Sequence, residues 1–288
     1  MRLGIVFWFY RDVAVCENRL RLLRRRNPGL PIFGLYGGPR ADAPLFDARL
    51  SSWLDDFWAF PDEVPIEWKW RNGDLMLTRW FTERGTELHW DHVFVAQWDM
   101  VVTAHLESWL PSMGEGEMLL SGLRPLTEVE KWWQWTSWEQ NRPEYEQFMA
   151  HVRRQYGVVD DPMCCQFIGL VVPRQFFAAY QGVDRPELGF LEYKVPVYAE
   201  VLGMRLVPDT VFRPWWPEDP AHSPRRREQL VHAWSSQVRL PMVLAEALRP
   251  AGRRAFHPYR GIYPHDVASL GHLIRARRER RLDAADTS

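Results

Sequence analysis

The sequence lacks the motifs that mark several common enzyme classes. It has no G-x-G-x-x-G and no Walker A motif, which argues against the usual dinucleotide and P-loop phosphate sites. It has no G-x-S-x-G elbow and no H-E-x-x-H pair, so it offers neither an α/β-hydrolase nucleophile nor a zincin metal pair. An aspartate-nucleophile phosphatase would need Asp12, and no second aspartate follows two residues later.

Cysteine, excess charge and long apolar runs are also scarce. The three cysteines have no zinc-binding spacing, and their odd number is typical of a reducing compartment rather than of a disulfide framework. A formal net charge of -1 predicts no nucleic-acid partner. No stretch approaches the roughly 20 apolar residues that a membrane span needs, and no small-residue cleavage site follows the apolar N-terminus. We therefore expect a cytoplasmic protein without a transmembrane segment.

What the sequence has instead is an alternation of apolar strands and amphipathic helices in 288 residues, enough for one large α/β domain. The first strand, helix and second strand form a βαβ unit, which predicts parallel neighbours. The predicted strands are 2–9, 31–38, 56–60, 92–99, 117–123, a segment ending at 172, and 204–212. The predicted helices are 13–26, 75–84 with Asp74 as its N-cap, 143–156, 173–181, one from about Glu192 that breaks near Pro196, 225–236, 241–248 and 264–282.

The run HVFVAQWDMVV, residues 92–102, is the centre of this pattern. Its first half is nearly continuously apolar, as in a strand covered on both faces, and then Asp99 follows. Ligands bind at the carboxyl ends of strands in open α/β sheets, so Asp99 is a candidate ligand-holding residue. The alternative is a turn aspartate that caps the next segment.

Three of these segments together resemble the nucleotide-diphospho-sugar transferase superfamily with the GT-A fold. FWFYRD stands where this family's first strand holds the nucleotide base, LYGG where its second strand borders the nucleotide, and VFVAQWDMVV where its Asp-x-Asp motif holds a divalent cation. Gln97 replaces the first acid of that motif, and an uncharged amide is a poorer ligand for Mn²⁺ or Mg²⁺. The resemblance therefore implies a weak or optional divalent cation. It implies a donor site made of Phe9, Tyr10, Arg11, Tyr36, Gly37, Asp74, Arg79, Gln97 and Trp98.

Later segments extend the resemblance. CQFIGLVVPRQFFAAY is similar to the strand and helix that follow the acceptor loop, and GFLEYKVPVYAEVLGMRLV is similar to the segment that supplies the catalytic base of inverting members. This implies catalytic roles for Glu192 and Asp99, with Glu187 a weaker alternative to Glu192. FHPYRG is similar to a late histidine loop, which implies that His257 joins Asp99 at the metal. Without the resemblance, Glu192 reads as a helix cap and His257 as an ordinary loop histidine.

Tryptophan is unusually frequent, with 16 in the chain. Four of them lie at 132–138, too close together for all to be core, and an exposed aromatic cluster is typical of a binding surface. We predict an acceptor-binding role for Trp132, Trp133 and Trp135, with an oligomer interface as the alternative.

Together these features predict a single α/β, GT-A-like domain over residues 1–262 with a mostly parallel central sheet flanked by helices. An arginine-rich C-terminal helix and frayed tail would occupy 263–288. The expected function is that of a glycosyltransferase moving a sugar from a nucleotide-diphosphate donor to a hydroxyl or amine of a small molecule or glycan. The alternative is a catalytically silent relative that binds a nucleotide or glycan, which Gln97 favours.

Overall fold

A seven-stranded sheet runs through the molecule, with helices on both of its faces. The structure is a computed structural model, and it describes residues 1–157, 159–221 and 228–266. The strands of this sheet are β1 (Leu3–Phe9), β2 (Ile32–Tyr36), β3 (Asp56–Ala59), β4 (His92–Gln97), β6 (Glu117–Leu120), β9 (Leu170–Pro173) and β10 (Arg205–Val207). Short ribbons are formed by β5 (Val101–Val102) with β11 (Ala255–Phe256) and by β7 (Arg124–Pro125) with β8 (Met163–Cys164).

The strand order is β10-β6-β9-β4-β1-β2-β3, and only β9 runs antiparallel to its neighbours. β1 pairs in parallel with both β2 and β4, as the βαβ pattern predicts. The predicted fold class, α/β with a mostly parallel sheet between helices, is confirmed.

Eleven α-helices occur in the described part of the chain. They are α1 (Val13–Arg26), α2 (Ala43–Leu50), α3 (Ile66–Arg71), α4 (Gly73–Trp80), α5 (Leu106–Trp109), α6 (Leu126–Val129), α7 (Gln134–Ser137), α8 (Arg142–Tyr156), α9 (Arg174–Tyr180), α10 (Leu191–Val201) and α11 (Leu240–Ala247). A π-helical turn, Phe81–Gly85, extends α4.

Alternation along β1 divides the core into two layers. Val6 and Trp8 face the layer beneath α3, α4 and α10, whereas Phe7 and Phe9 face the layer beneath α1 and α2. A third, smaller cluster packs the C-terminal segment against α1 and β5. All seven residues of β1 are buried, as expected for a strand covered on both faces.

Several boundaries differ from the sequence prediction. α4 begins at Gly73 after Asn72, so the prediction that Asp74 is its N-cap was wrong. Pro196 lies inside an unbroken α10, where the prediction placed a break. The predicted helix at 225–236 is wrong over its described part, which contains only a 3₁₀ turn, Glu228–Leu230. The predicted helix at 264–282 lies almost entirely outside the described residues.

Candidate active site

A cleft of about 250 Å³ opens at the carboxyl ends of β1, β2 and β4. Its walls come from those strand ends, the tryptophan-rich segment, the turn at 166–168, the start of α10 and two later loops. Of the predicted site residues, it brings together Tyr10, Gly37, Gln97, Trp98, Trp133, Trp135, Glu192 and His257. This is the sheet edge at which ligands bind in open α/β folds.

Aromatic rings form one rim of the cleft. Tyr10, just after β1, meets Trp98, just after β4, edge to face with ring centroids 5.6 Å apart. The exposed guanidinium of Arg11 lies 4.8 Å from the centroid of the Trp98 ring. A cation held over an indole face remains free to fork onto phosphate oxygens.

Gln97 joins β4 to the opposite wall. Its Nε2 donates to the carbonyl of Phe167 at 2.6 Å. A carbonyl oxygen can only accept, so this contact fixes which way the amide faces. Gln97 is thus anchored to Phe167, and the N–H of the same residue donates to Glu192.

Asp99 is buried in the turn after β4 and faces the segment that follows β11. Its Oδ1 lies 3.3 Å from His257 Nε2, and its Oδ2 lies 3.5 Å from Arg260 Nε. Burial alone would raise the pKa of Asp99, but His257 and Arg260 outweigh it, and the pKa lies below its usual value. Asp99 is therefore an anion at neutral pH.

The tautomer of His257 follows from its second contact. Its Nδ1 lies 2.7 Å from the carbonyl of His232, so Nδ1 carries a hydrogen and donates it. Nε2 is therefore the ring nitrogen that faces the Asp99 carboxylate, 3.3 Å away. Either a proton or a cation between these two acceptors would satisfy both.

Asp99 and His257 therefore fit two positions in the coordination of a divalent cation. No group of three or more His, Cys, Asp or Glu side chains suited to a metal occurs in the described ranges. A cation bound here would take its remaining ligands from a diphosphate and water, as Mg²⁺ commonly does. These two ligands fit the weak or optional metal predicted from Gln97.

Glu192 lies in the first turn of α10 and is almost fully buried against the cleft. Its Oε1 accepts a hydrogen bond from the Phe167 N–H at 3.0 Å. The pKa of Glu192 is raised to about 8, chiefly by burial and to a smaller extent by the nearby Glu218, whereas the N–H groups of Phe167 and Trp135 oppose this rise. Phe190 is the N-cap residue, so Glu192 does not cap its own helix.

The tryptophan-rich segment divides its residues between core and cleft. Trp133 is buried against Tyr193 and Trp216 but also lines the cleft, and Trp135 stacks on Phe190 with centroids 3.8 Å apart. Trp132 lies outside the cleft, where it packs on Trp216. Of the three tryptophans predicted to bind the acceptor, Trp133 and Trp135 therefore line the cleft and Trp132 does not.

Five predicted donor residues also do not line the cleft: Arg11, which lies over Trp98 at its edge, and four residues that lie away from it. Phe9 and Tyr36 pack on each other in the layer on the opposite face of the sheet, with centroids 5.6 Å apart. Asp74 is buried and pairs with Lys194 at 3.0 Å. Arg79 is exposed and pairs with Glu83 in the next helical turn.

Sequence reasoning missed several lining residues, among them Trp8, Lys69, Gln166 and Glu218. The strand alternation carried a signal for Trp8, because Trp8 must face the layer opposite to Phe9. A Cβ added at Gly73 would collide with the Trp8 ring, so this glycine makes room for the indole. Gln166 and Glu218 belong to loops, and no local pattern marks them.

Comparisons with known proteins give distant likenesses to solved structures. No family model matches the chain, and no curated protein matches it. Among solved structures it is similar to glucosyl-3-phosphoglycerate synthase from Mycobacterium tuberculosis in complex with Mn²⁺ and uridine diphosphate, with 18% identity and a TM-score of 0.35 over 62% of this chain and 58% of that one. The match therefore spans less than two thirds of the synthase.

Two further solved structures show the same kind of likeness. The galactosyltransferase LgtC, in complex with donor and acceptor sugar analogues, has 13% identity and a TM-score of 0.40 over 72% of this chain and 74% of that one. Mouse xyloside xylosyltransferase 1 has 9% identity and a TM-score of 0.37 over 75% of this chain and 88% of that one.

Proposed function

We propose that this chain is a glycosyltransferase that moves a sugar from a nucleotide-diphosphate donor to an acceptor nucleophile. The observation that carries the proposal is one cleft at a sheet edge with two chemically different ends. At one end His257 lines the cleft, with Asp99 buried behind it and Arg11 held over the cleft-lining Trp98, and at the other is the desolvated carboxylate of Glu192. A group-transfer enzyme needs both an anion-stabilising end and a proton-accepting end.

At the donor end, the residues suit a diphosphate leaving group. Arg11 and Arg260 would stabilise the negative charge that develops on the leaving oxygen. A divalent cation held by Asp99 and His257 would supply the same stabilisation when bound. Tyr10 and Trp98 would hold the nucleotide near these charges.

At the acceptor end, Glu192 would take the proton from the attacking hydroxyl or amine. A general base works best when its pKa lies near the working pH, and burial brings the pKa of Glu192 to about 8. Trp135 and Phe190 form an aromatic wall next to Glu192, suited to the apolar face of a sugar ring.

A catalytically silent nucleotide-binding protein is the second candidate. Gln97 favours it, because the amide is committed to the Phe167 carbonyl and brings no charge to a metal. Donor turnover, including slow hydrolysis to free nucleotide, separates the two functions.

The proposal is tested by thermal unfolding with uridine, guanosine, cytidine and thymidine diphosphate sugars, each with and without Mn²⁺. A donor at a hundredfold excess over its dissociation constant stabilises the folded state by about 2.7 kcal/mol. We expect one base to be preferred and the Mn²⁺ effect to be modest. Arg11→Ala should reduce the donor-induced rise in melting temperature. Arg154→Ala, which removes an exposed arginine that does not line the cleft, should leave this rise unchanged.

Two outcomes would count against the proposal. If none of the four donors raises the melting temperature at millimolar concentration with metal present, the cleft is not a nucleotide-sugar site. If a donor binds but is never consumed with any acceptor or with water, the silent function is correct.

A further inference from the structure

The acceptor end of the cleft contains two carboxylates, and within residues 1–157, 159–221 and 228–266 neither has a cationic partner. Glu192 accepts only from neutral N–H groups, those of Phe167 and Trp135. Glu218 lies on the loop after Trp216, and within the described ranges its carboxylate has neither a hydrogen bond nor an ion pair. Two acids facing one desolvated space disfavour each other's ionisation, because each raises the electrostatic cost of charging the other.

Among the described residues, the cations nearest to the cleft do not neutralise these two acids. Lys69 is the lysine in the cleft lining, and its Nζ donates to the Gly38 carbonyl near the strand ends of the donor side. Arg71 lies near the aromatic wall, but it is engaged in an ion pair with Glu144. Arg124 lies over Trp132 and is shared between Glu128 and Asp219. As far as the described residues are concerned, the positive charge that would balance these two acids is therefore left to the ligand.

An independent observation points to a ligand rich in N–H donors. Gln166 is 2% exposed and lines the same cleft. Its Nε2 donates to the Trp215 carbonyl at 3.0 Å, which fixes the amide so that Oε1 is the free acceptor. That buried Oε1 has no partner in the described part of the chain, and an unmet buried acceptor is costly unless a bound molecule donates to it.

The walls around these three acceptors are aromatic. Trp135, Phe190, Trp70 and Trp234 all line the cleft, and Trp70 packs on both Trp135 and Phe190. Indole faces attract cations as well as the apolar faces of sugar rings. The same surface thus suits a cationic sugar better than an anionic one.

We propose that the acceptor is an amino sugar, whose protonated amine binds between Glu192, Glu218 and the Oε1 of Gln166. The identification of the bound amino sugar as the acceptor rests on the proposed function. Its binding to this site does not depend on catalysis. Glu218 would act as a specificity residue, holding the charged amine while Glu192 faces the attacking group. The burial that raises the pKa of Glu218 to about 7 is the expected state of such a carboxylate before its cation arrives.

The test compares two matched sugars, a chitosan tetramer with free amines and a chitin tetramer in which the same amines are acetylated. Binding to the full-length protein is measured by calorimetry near pH 7 without a donor. We expect the chitosan tetramer to bind about tenfold or more tightly than the chitin tetramer, because charge-assisted hydrogen bonds are the strong ones. Glu218→Gln should remove most of this preference, and Glu139→Gln, which alters an exposed carboxylate outside the cleft, should leave it unchanged.

Because Glu218→Gln could alter folding, its melting temperature is recorded first, and Gln166→Met provides a second variant that should also weaken the preference. Equal binding of the two tetramers, tighter binding of chitin, or no binding of either would overturn the inference. A preference for the chitosan tetramer that is retained in Glu218→Gln would also overturn the inference, because nonspecific attraction of the charged sugar would then explain it. The donor screen is a separate measurement, so nucleotide-sugar turnover with no amine preference would retain the proposed function and discard this inference.

Discussion

Glu192→Gln is the substitution that tests the proposed mechanism most directly. The pKa of Glu192 is raised to about 8, chiefly by burial. A carboxylate with that pKa is ionised in about one tenth of molecules at pH 7 and about nine tenths at pH 9. If the ionised form is the general base, kcat/KM should rise roughly tenfold between these pH values and level off above them.

Removing the carboxylate should remove this pH dependence along with the activity. Glu192→Gln keeps the size of the side chain and can still accept from the Phe167 N–H, so donor binding should barely change. We expect the turnover number to fall about 10²-fold or more. The assay is release of free nucleotide from the preferred donor between pH 6 and pH 10.

Three results would refute this reasoning. A rate that falls with pH would make Glu192 an acid rather than a base. A profile centred near pH 7 that is retained in Glu192→Gln would assign the base to Glu218, whose pKa is raised to about 7. Collapse of donor binding in the variant would place Glu192 in the donor pocket.

The raised pKa of Glu192 also predicts how the free energy of unfolding depends on pH, which can be measured without substrate. The folded state holds the Glu192 proton more tightly than the unfolded chain does, since the pKa rises from 4.5 to about 8 on folding. The resulting stabilisation is complete below about pH 4.5 and is lost as the pH rises through about 8, a change of up to roughly 5 kcal/mol. Glu192→Gln should therefore lose stability less steeply over this range than the native chain in chemical denaturation.

Three further substitutions test the parts around the cleft. Asp99→Asn should abolish donor turnover while changing the melting temperature by only a few degrees, because the side chains are nearly isosteric; full turnover would exclude a role for Asp99 at the diphosphate. Lys194→Met should lower the free energy of unfolding by about 3–5 kcal/mol, because it leaves buried Asp74 without its cation, and a loss below about 1 kcal/mol would mean that the pair contributes little. Arg19→Met should weaken the donor-induced thermal shift, because Arg19 donates to the carbonyls of Tyr259 and Gly261 beside Arg260; an unchanged shift would separate this loop from the donor site.

The parallel half of the sheet could be predicted because its signals are local. β1 and β2 are unbroken apolar runs between polar turns, and α1 has both its predicted bounds. Asp12 supplies a side-chain cap at its start, and the basic residues of its last turn favour the helix dipole. Such elements are specified within a few residues, and tertiary packing does not override them.

The sequence predictions were wrong where a residue contacts a partner that is far away in the sequence. Asp74 has the sequence appearance of a helix cap, yet its carboxylate faces Lys194, 120 residues later in α10. Pro196 is tolerated inside α10 because the helix is buried on nearly all sides and its packing outweighs one lost backbone hydrogen bond. Neither pairing leaves a signal in the neighbouring sequence.

The cleft itself shows why a strand-end motif could only partly define the site. Asp99 comes from the middle of the chain, but its partner His257 reaches it only because β11 pairs antiparallel with β5. That segment is held in turn by α1, where Arg19 is buried beneath the carbonyls of Tyr259 and Gly261 and Asn18 bonds both backbone groups of Tyr263. A buried guanidinium without these carbonyls would be strongly destabilising, so α1 and the histidine loop must pack together for either to be stable. The first helix of the βαβ unit therefore does more than cover the sheet, since it fixes the distance between an aspartate and a histidine that the sequence separates by more than 150 residues.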